Sequence, residues 1–200
     1  LAGMDIAREL REMGWGLLAT GEMGIGNTTT SSAVAAALLG RPATEMTGKG
    51  AGLTNEGLRK KLAVIDGAIA LHRPDPADPI DVLSKVGGFD IAAMIGFYLG
   101  CARCRVPVVM DGFISTVAAL AATRLCPAAR DALIPSHLSA EPGAGPVMEA
   151  LGFTPLLKLG MALGEGTGAV SAMPLIDMAL RVYFDMPSFD GIGIEAYQPL

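Results

Sequence analysis

The feature that most restricts the fold is a recurring unit of short strand, loop and helix. It is plainest at residues 106–125. Val106–Met110 is a β-branched, apolar run of the kind buried in a parallel sheet. Asp111-Gly112 breaks it, and Phe113–Leu125 continues at once as an alanine-rich helix. A strand over Gly16–Ala19 likewise leads through the loop Thr20–Gly26 into a helix over Thr28–Leu39. Leu133–Pro135 reads as a strand with the loop Ser136–Glu141 behind it and a helix over Gly145–Leu151. Leu156–Leu163 reads as a fourth strand, followed by Gly164–Ala169 and a helix over Thr167–Phe184. Helices over Asp5–Met13, Glu56–Leu71, Asp81–Val86 and Phe89–Arg103 complete the chain, with a break at Arg73–Pro79. Strands alternating with helices imply parallel strands joined by crossovers. The expected fold is α/β: a Rossmann-like, mostly parallel sheet flanked by helices over residues 1–184, with a loose tail over 185–200.

Composition agrees with close packing. The chain is 51% hydrophobic but only 5% aromatic, so its core is built from Ala, Leu, Val and Met. Net charge is −5, and no Lys/Arg cluster follows one face, which excludes nucleic acid as a partner. Mean hydropathy is positive. Yet the uncharged runs Ile91–Ala102 and Gly112–Thr123 fall short of the ~20 residues of a spanning helix. Met23–Gly40 is longer but opens with Gly, Asn, Thr and Ser, so these runs are expected as buried helices and no membrane is involved. Leu1–Met13 is charged and has no apolar block, unlike a secretory leader. A chain that opens on Leu inside a helix is expected to be part of a longer protein. Cys101, Cys104 and Cys126 are an odd set that suits reduced thiols in the cytoplasm. Cys101 and Cys104 form a CxxC with no second pair, late in an apolar helix, which favours packing over redox or metal chemistry.

In open α/β sheets ligands bind beyond the carboxyl ends of the strands. That rule brings the loops at 20–27, 111–113, 136–141 and 164–169 to one edge. Gly24, Gly26, Asn27 and Thr28 either cradle an anion at a helix N-terminus or simply cap the helix. The stretch lacks the GK[ST] ending of a Walker loop and the third glycine of GxGxxG. Lys49 and Gly50 lie in a second glycine turn, which is either a ligand loop or an exposed one, and Lys61 lies on a helix after Arg59 and Lys60, where composition alone favours a solvated face. Glu165, between Gly164 and Gly166, is either a helix-start acid favoured by the dipole or a carboxylate at a crevice mouth whose raised pKa suits a base. Glu22 shares that ambiguity. His137 beside Ser136 and Ser139 suggests a hydrolase, but no G-x-S-x-G elbow accompanies it.

Six motifs in order, GEMGIGNTT at 21–29, GKGAGL at 48–53, KVGGFDIAAMIG at 85–96, VPVVMDGF at 106–113, IPSHLSAE at 134–141 and LGEGTGA at 163–169, resemble the nicotinate-nucleotide:dimethylbenzimidazole phosphoribosyltransferases. The resemblance covers about residues 3–184. It implies transfer of the phosphoribosyl group of nicotinate mononucleotide to 5,6-dimethylbenzimidazole, by a cytoplasmic homodimer using neither metal nor cofactor. By the same resemblance residues 1–184 form the large nucleotide-binding domain, and Glu165 is the catalytic base. Glu22, Gly24, Gly26, Asn27, Thr28, Lys49, Gly50, Lys61, Asp111, Gly112, Ser139, Gly164 and Gly166 would bind the substrates. Family members extend further at the N-terminus, where a small helical domain helps wall the benzimidazole pocket. The alternative from another class is a non-catalytic module that holds a nucleotide or azole.

Overall fold

The computed structural model describes residues 1–50, 52–188, 190–193, 195 and 198. Ala51 of the second glycine turn and residues 189, 194, 196, 197, 199 and 200 of the expected tail lie outside the described residues. The elements are α1 (Ala2–Glu12), β1 (Leu18–Ala19), α2 (Asn27–Leu39), α3 (Ala43–Met46), α4 (Asn55–His72), α5 (Pro79–Val86) and α6 (Phe89–Cys104). They continue with β2 (Val108–Met110), α7 (Phe113–Leu125), β3 (Leu133–Pro135), α8 (Ala144–Leu151) and α9 (Thr167–Asp185). Two 3-10 turns, Pro127–Ala132 and Asp190–Ile192, complete the set.

The sheet is parallel throughout, in the order β1-β2-β3, with Leu18 opposite Val108 and Val108 opposite Leu133. The fourth strand expected over Leu156–Leu163 does not form. Leu157 makes one isolated parallel bridge to His137, beyond the end of β3. The N–H of Leu138 reaches Leu157 O and that of Ala140 reaches Met161 O, so the apolar segment runs beside the loop after β3 as irregular chain. Its hydrophobicity is real, but the loop beside it offers too few regular backbone partners to make a ladder.

The main core lies on one face of the sheet. α2 and α7 are buried on nearly every side, over Ser31–Leu38 and Ser115–Ala122. Their alanines let them approach closely, and buried hydroxyls among them are satisfied locally, as where Ser32 Oγ donates to Met46 O at 3.0 Å. Glycine does the same for α1 on α6. A Cβ at Gly3 would collide with Ala93 O, and one at Gly100 would lie 2.8 Å from the Ala7 Cβ. Cys101 is fully buried in this core, where desolvation pushes its thiol pKa up to about 12, so it packs as an inert apolar group.

Among the described residues, the opposite face carries α9. Ala169 and Ala172 pack on Val109, with Leu17, Ile134 and Leu157 around them. The outer side of α9 leaves Met178, Leu180, Val182, Tyr183 and Phe184 exposed. Among the described residues no helix is long and apolar enough to cross a membrane.

Candidate active site

All three strands end at one edge, and the loops behind them enclose a cavity of about 320 Å³. That is the lower end of the roughly 300–1,000 Å³ range of small-molecule sites. Glu22, Gly24, Gly26, Asn27 and Thr28 line one side, and Asp111, Gly112, Ser139, Gly164 and Glu165 the other, with Gly50 at the rim. Three expected residues do not line it. Lys49 is exposed. Lys61 sits behind the wall, and Gly166 lies behind Glu165.

The two acid-bearing loops touch through their backbones. The N–H of Glu165 donates to Glu22 O at 2.9 Å, and a Cβ on Gly21 would lie 2.7 Å from the nitrogen of Gly166. Gly164, Glu165 and Gly166 are all left-handed, with φ of 78°, 58° and 81°. Two are glycines. Glu165 is not, and its conformation costs about 1–2 kcal/mol. Strain of this kind persists where the surroundings dictate it, and it gathers at functional sites. The Glu165 side chain itself is exposed at the cavity mouth.

Asp111 explains how that turn is held. Its Oδ2 accepts from the N–H of Gly166 at 2.9 Å, and its Oδ1 accepts from Gly168 at 2.8 Å and Ala169 at 3.2 Å. The carboxylate at the end of β2 thus caps α9, and the N-terminus that sequence placed behind Glu165 already has its anion. His137 is buried against this joint, and a Cβ on Gly168 would collide with its ring. Burial lowers the His137 pKa, opposed by the charge of Asp111. Ser136 Oγ lies 3.0 Å from His137 Nδ1, but Ser136 is fully buried, so this pair presents no accessible nucleophile.

The N-terminus of α2 is different. It starts at Gly26 in the left-handed region, with φ 92°, has no acid in its first turn, and among the described residues no side chain caps it. Lys61 Nζ donates to Thr28 Oγ1 at 2.9 Å and to Gly48 O at 3.1 Å. Thr28 therefore keeps its own hydroxyl hydrogen for a ligand. Burial lowers the Lys61 pKa, and the charge of Glu141 opposes that shift. A cation behind a free helix N-terminus and glycine amides makes an anion site.

Unpaired atoms mark what else the cavity wants. Among the described residues, Glu22 Oε2, Asn27 Oδ1 and Glu141 Oε2 are buried without a hydrogen-bond partner. All three residues line the cavity, and all three atoms are acceptors. Buried acceptors left open in this way call for donors from a bound molecule. Glu22 is partly buried, and desolvation raises its pKa. Hydrogen bonds from Asn27 and the Gly24 N–H pull it down, while the charges of Asp90 and Asp111 push it up. Ser139 is nearly buried, its Oγ accepting from the Glu141 N–H at 3.3 Å, which leaves its hydrogen available.

Sequence reasoning missed Glu141, although it stands two residues after Ser139 in a segment already singled out. The apolar lining of Met23, Ile25, Phe113, Ile114 and Leu163 was also missed. Those side chains look like ordinary helix-start and loop residues until the loops are brought together.

A parallel sheet whose carboxyl edge carries glycine loops, a free helix N-terminus and converging carboxylates defines an α/β domain built around a small-molecule site. Comparison with known proteins gives that class a family. Residues 1–194 match the DBI_PRT family model, described as a phosphoribosyltransferase, and the chain belongs to that family. It is 55% identical over 197 residues to the nicotinate-nucleotide--dimethylbenzimidazole phosphoribosyltransferase of Acetivibrio thermocellus, covering 98% of this chain and 56% of the relative. It is 52% identical to the protein of that name from Clostridium acetobutylicum, over 99% of this chain and 56% of the relative. The crystal structure of CobT from Thermus thermophilus superposes with a TM-score of 0.90 at 45% identity, covering 98% of this chain and 58% of that one. The chain spans a little over half the length of the curated relatives it matches.

Proposed function

We propose that the full-length protein transfers the phosphoribosyl group of nicotinate mononucleotide to 5,6-dimethylbenzimidazole, giving α-ribazole 5′-phosphate and nicotinate. The observation that carries this reading is the pairing of Glu22 and Glu165 across one cavity, beside a free helix N-terminus. The 5′-phosphate goes to the amides of Gly24–Thr28 with Thr28 Oγ1, and Lys61 supplies charge from behind. Gly50, Gly112 and Gly164 give the substrates close backbone approach, Lys49 adds a cation at the rim, and Ser139 donates to the ribose. Asp111 and Gly166 contribute by holding the Glu165 turn, as their hydrogen bond supports.

One benzimidazole nitrogen attacks C1′ of the ribose from the face opposite nicotinate, forming a C–N bond as the bond to the pyridinium nitrogen breaks. The electron pair of that bond returns to nicotinate, and the β linkage becomes α. The other nitrogen loses its proton to Glu165, whose exposed carboxylate at the mouth is accessible as a general base. Holding both partners in register supplies the remaining acceleration.

The protein acts, in this reading, as a cytoplasmic homodimer. The exposed apolar face of α9, with Val182, Tyr183 and Phe184, supports pairing with a second copy. The three unpaired cysteines suit a reducing compartment. The test is to incubate the full-length protein with nicotinate mononucleotide and dimethylbenzimidazole and to detect ribazole phosphate by mass spectrometry. Binding of the nucleotide with no product would leave a binding module instead.

A further inference from the structure

Of the six motifs, KVGGFDIAAMIG is the one to which the reading of the sequence gave no task. Its Asp90 stands in the first turn of α6. We propose that Asp90 is a positioning residue that orients the side-chain amide of Asn27 and, through it, the carboxylate of Glu22 in the ligand cavity. This rests on the proposed function for what the cavity binds, but the geometry stands without it.

The Asn27 side chain has one donor atom, Nδ2, with two hydrogens. One is given to Asp90 Oδ2 at 2.8 Å. Glu22 Oε1 lies beside the same nitrogen: a Cβ at Gly24 would press on both Asn27 Nδ2 and Glu22 Oε1. Among the described residues Asn27 Oδ1 has no partner, and the second Nδ2 hydrogen is free to face Glu22. The amide nitrogen therefore lies between two carboxylates and leaves Oδ1, like Glu22 Oε2, open to a ligand donor.

Asp90 decides which way the amide faces. Flipped, Asn27 would set Oδ1 against both carboxylates. Asp90 accepts only, so it holds the amide nitrogen on their side. Two glycines clear space for this chain. A Cβ on Gly24 would collide with both Asn27 Nδ2 and Glu22 Oε1, and one on Gly88 would collide with Asp90 Oδ1. Gly88 has φ −146°, an extended conformation open to any residue, so space rather than backbone freedom calls for glycine there. These residues also border an open hollow of about 470 Å³ that leads from α6 to Glu22.

A purely structural acid at the start of α6 would interact with the helix dipole and do nothing more. Asp90→Asn and Asp90→Ala separate the two roles. Both lose the charge, but the new amide oxygen of Asp90→Asn still accepts from Asn27. In the full-length protein, Asp90→Ala is expected to fall at least tenfold below Asp90→Asn in kcat/KM, with Asp90→Asn rescuing most of the loss. Glu22, followed by carboxyl 13C NMR and assigned with Glu22→Gln, is expected to titrate at higher pH in Asp90→Ala than in Asp90→Asn. Only the alanine variant frees the Asn27 amide to turn its nitrogen away from Glu22. The other charged groups facing Glu22, Asp111 from the end of β2 and Glu165 from the neighbouring loop, are the same in both and cancel. Equal titration and equal kinetics in the two variants would overturn the proposal. Should Asp90→Ala fail to fold, Gly88→Ala displaces the Asp90 carboxylate while keeping its charge. Glu22 is then expected to titrate above wild type, and no change would overturn the proposal. A wild-type protein without turnover would remove the proposed reaction, while the NMR comparison would still decide the role of Asp90.

Discussion

At residues 21–27 an acid precedes a helix with no capping side chain, and at residues 163–168 a similar acid precedes a helix whose first amides are held by Asp111. The two segments read almost alike: glycine, glutamate and glycine lead into a helix that opens on Asn27 in one and Thr167 in the other. Folding gives them different physical states. Glu22 is partly withdrawn from water beside Asn27, with a raised pKa. Glu165 is exposed, on a strained left-handed turn fixed from behind. Thus the first amides of α2 stay open to the cavity, whereas those of α9 are taken by Asp111 and the loop presents its acid. Similar local motifs gain different tasks from whatever long-range partner reaches the helix end first.

The sharpest way to break the comparison is Glu165→Gln in the full-length protein. Turnover is expected to fall about 10²–10⁴-fold, the usual share of a general base, while the thermal midpoint stays unchanged. Near-normal turnover would move the proton to another group. Asp111→Ala should abolish the difference between the helix ends. Denaturant unfolding is expected to show a loss of about 2–4 kcal/mol, since buried N–H groups lose a charged acceptor. Asp111→Asn, keeping one oxygen, should lose less. Gly168→Ala drives a methyl into His137 at the same joint, and an overpacking cost of about 1–3 kcal/mol is expected in the same assay. Glu165→Gly should gain roughly 0.5–1 kcal/mol of stability, the relief of left-handed strain less the added freedom of the unfolded chain, while losing turnover.

The smallest effect concerns Glu22 and pH. Its pKa is raised on folding, so its contribution to stability is fully present below the ordinary carboxylate pKa and is lost as pH rises through the folded value. Glu22→Gln cannot ionise. Its unfolding free energy relative to wild type is expected to improve from acid to neutral pH. A constant offset would mean that Glu22 ionises in the fold as it does in the unfolded chain.

Much of this was legible in the sequence. The β-branched run ending at Met110 and the alanine-rich helices on either side of it announced parallel strands with crossovers, because burial on both faces demands uniform apolarity. Leu156–Leu163 misled for the same reason. Apolarity suggested burial, but Leu156, Leu159 and Leu163 are exposed, and the segment makes no ladder. Lys61 looked like part of a solvated basic run after Arg59 and Lys60, yet it is nearly buried and hydrogen-bonded to Thr28. The loop at Gly48, remote in sequence, supplies the carbonyl that makes that burial tolerable.

The sequence by itself determined the class of fold, the edge of the sheet where the cavity lies and the residue types gathered there. These follow from periodicity, from glycine and from the chemistry of carboxylates, which are local properties. Only the tertiary structure decided which carboxylate faces the cavity and which is bound to a helix end. It also decided which lysine is buried and which amide is locked by Asp90. Those outcomes depend on donors and acceptors 13 to 63 positions apart meeting at about 2.8–3.1 Å, and no local pattern encodes such meetings.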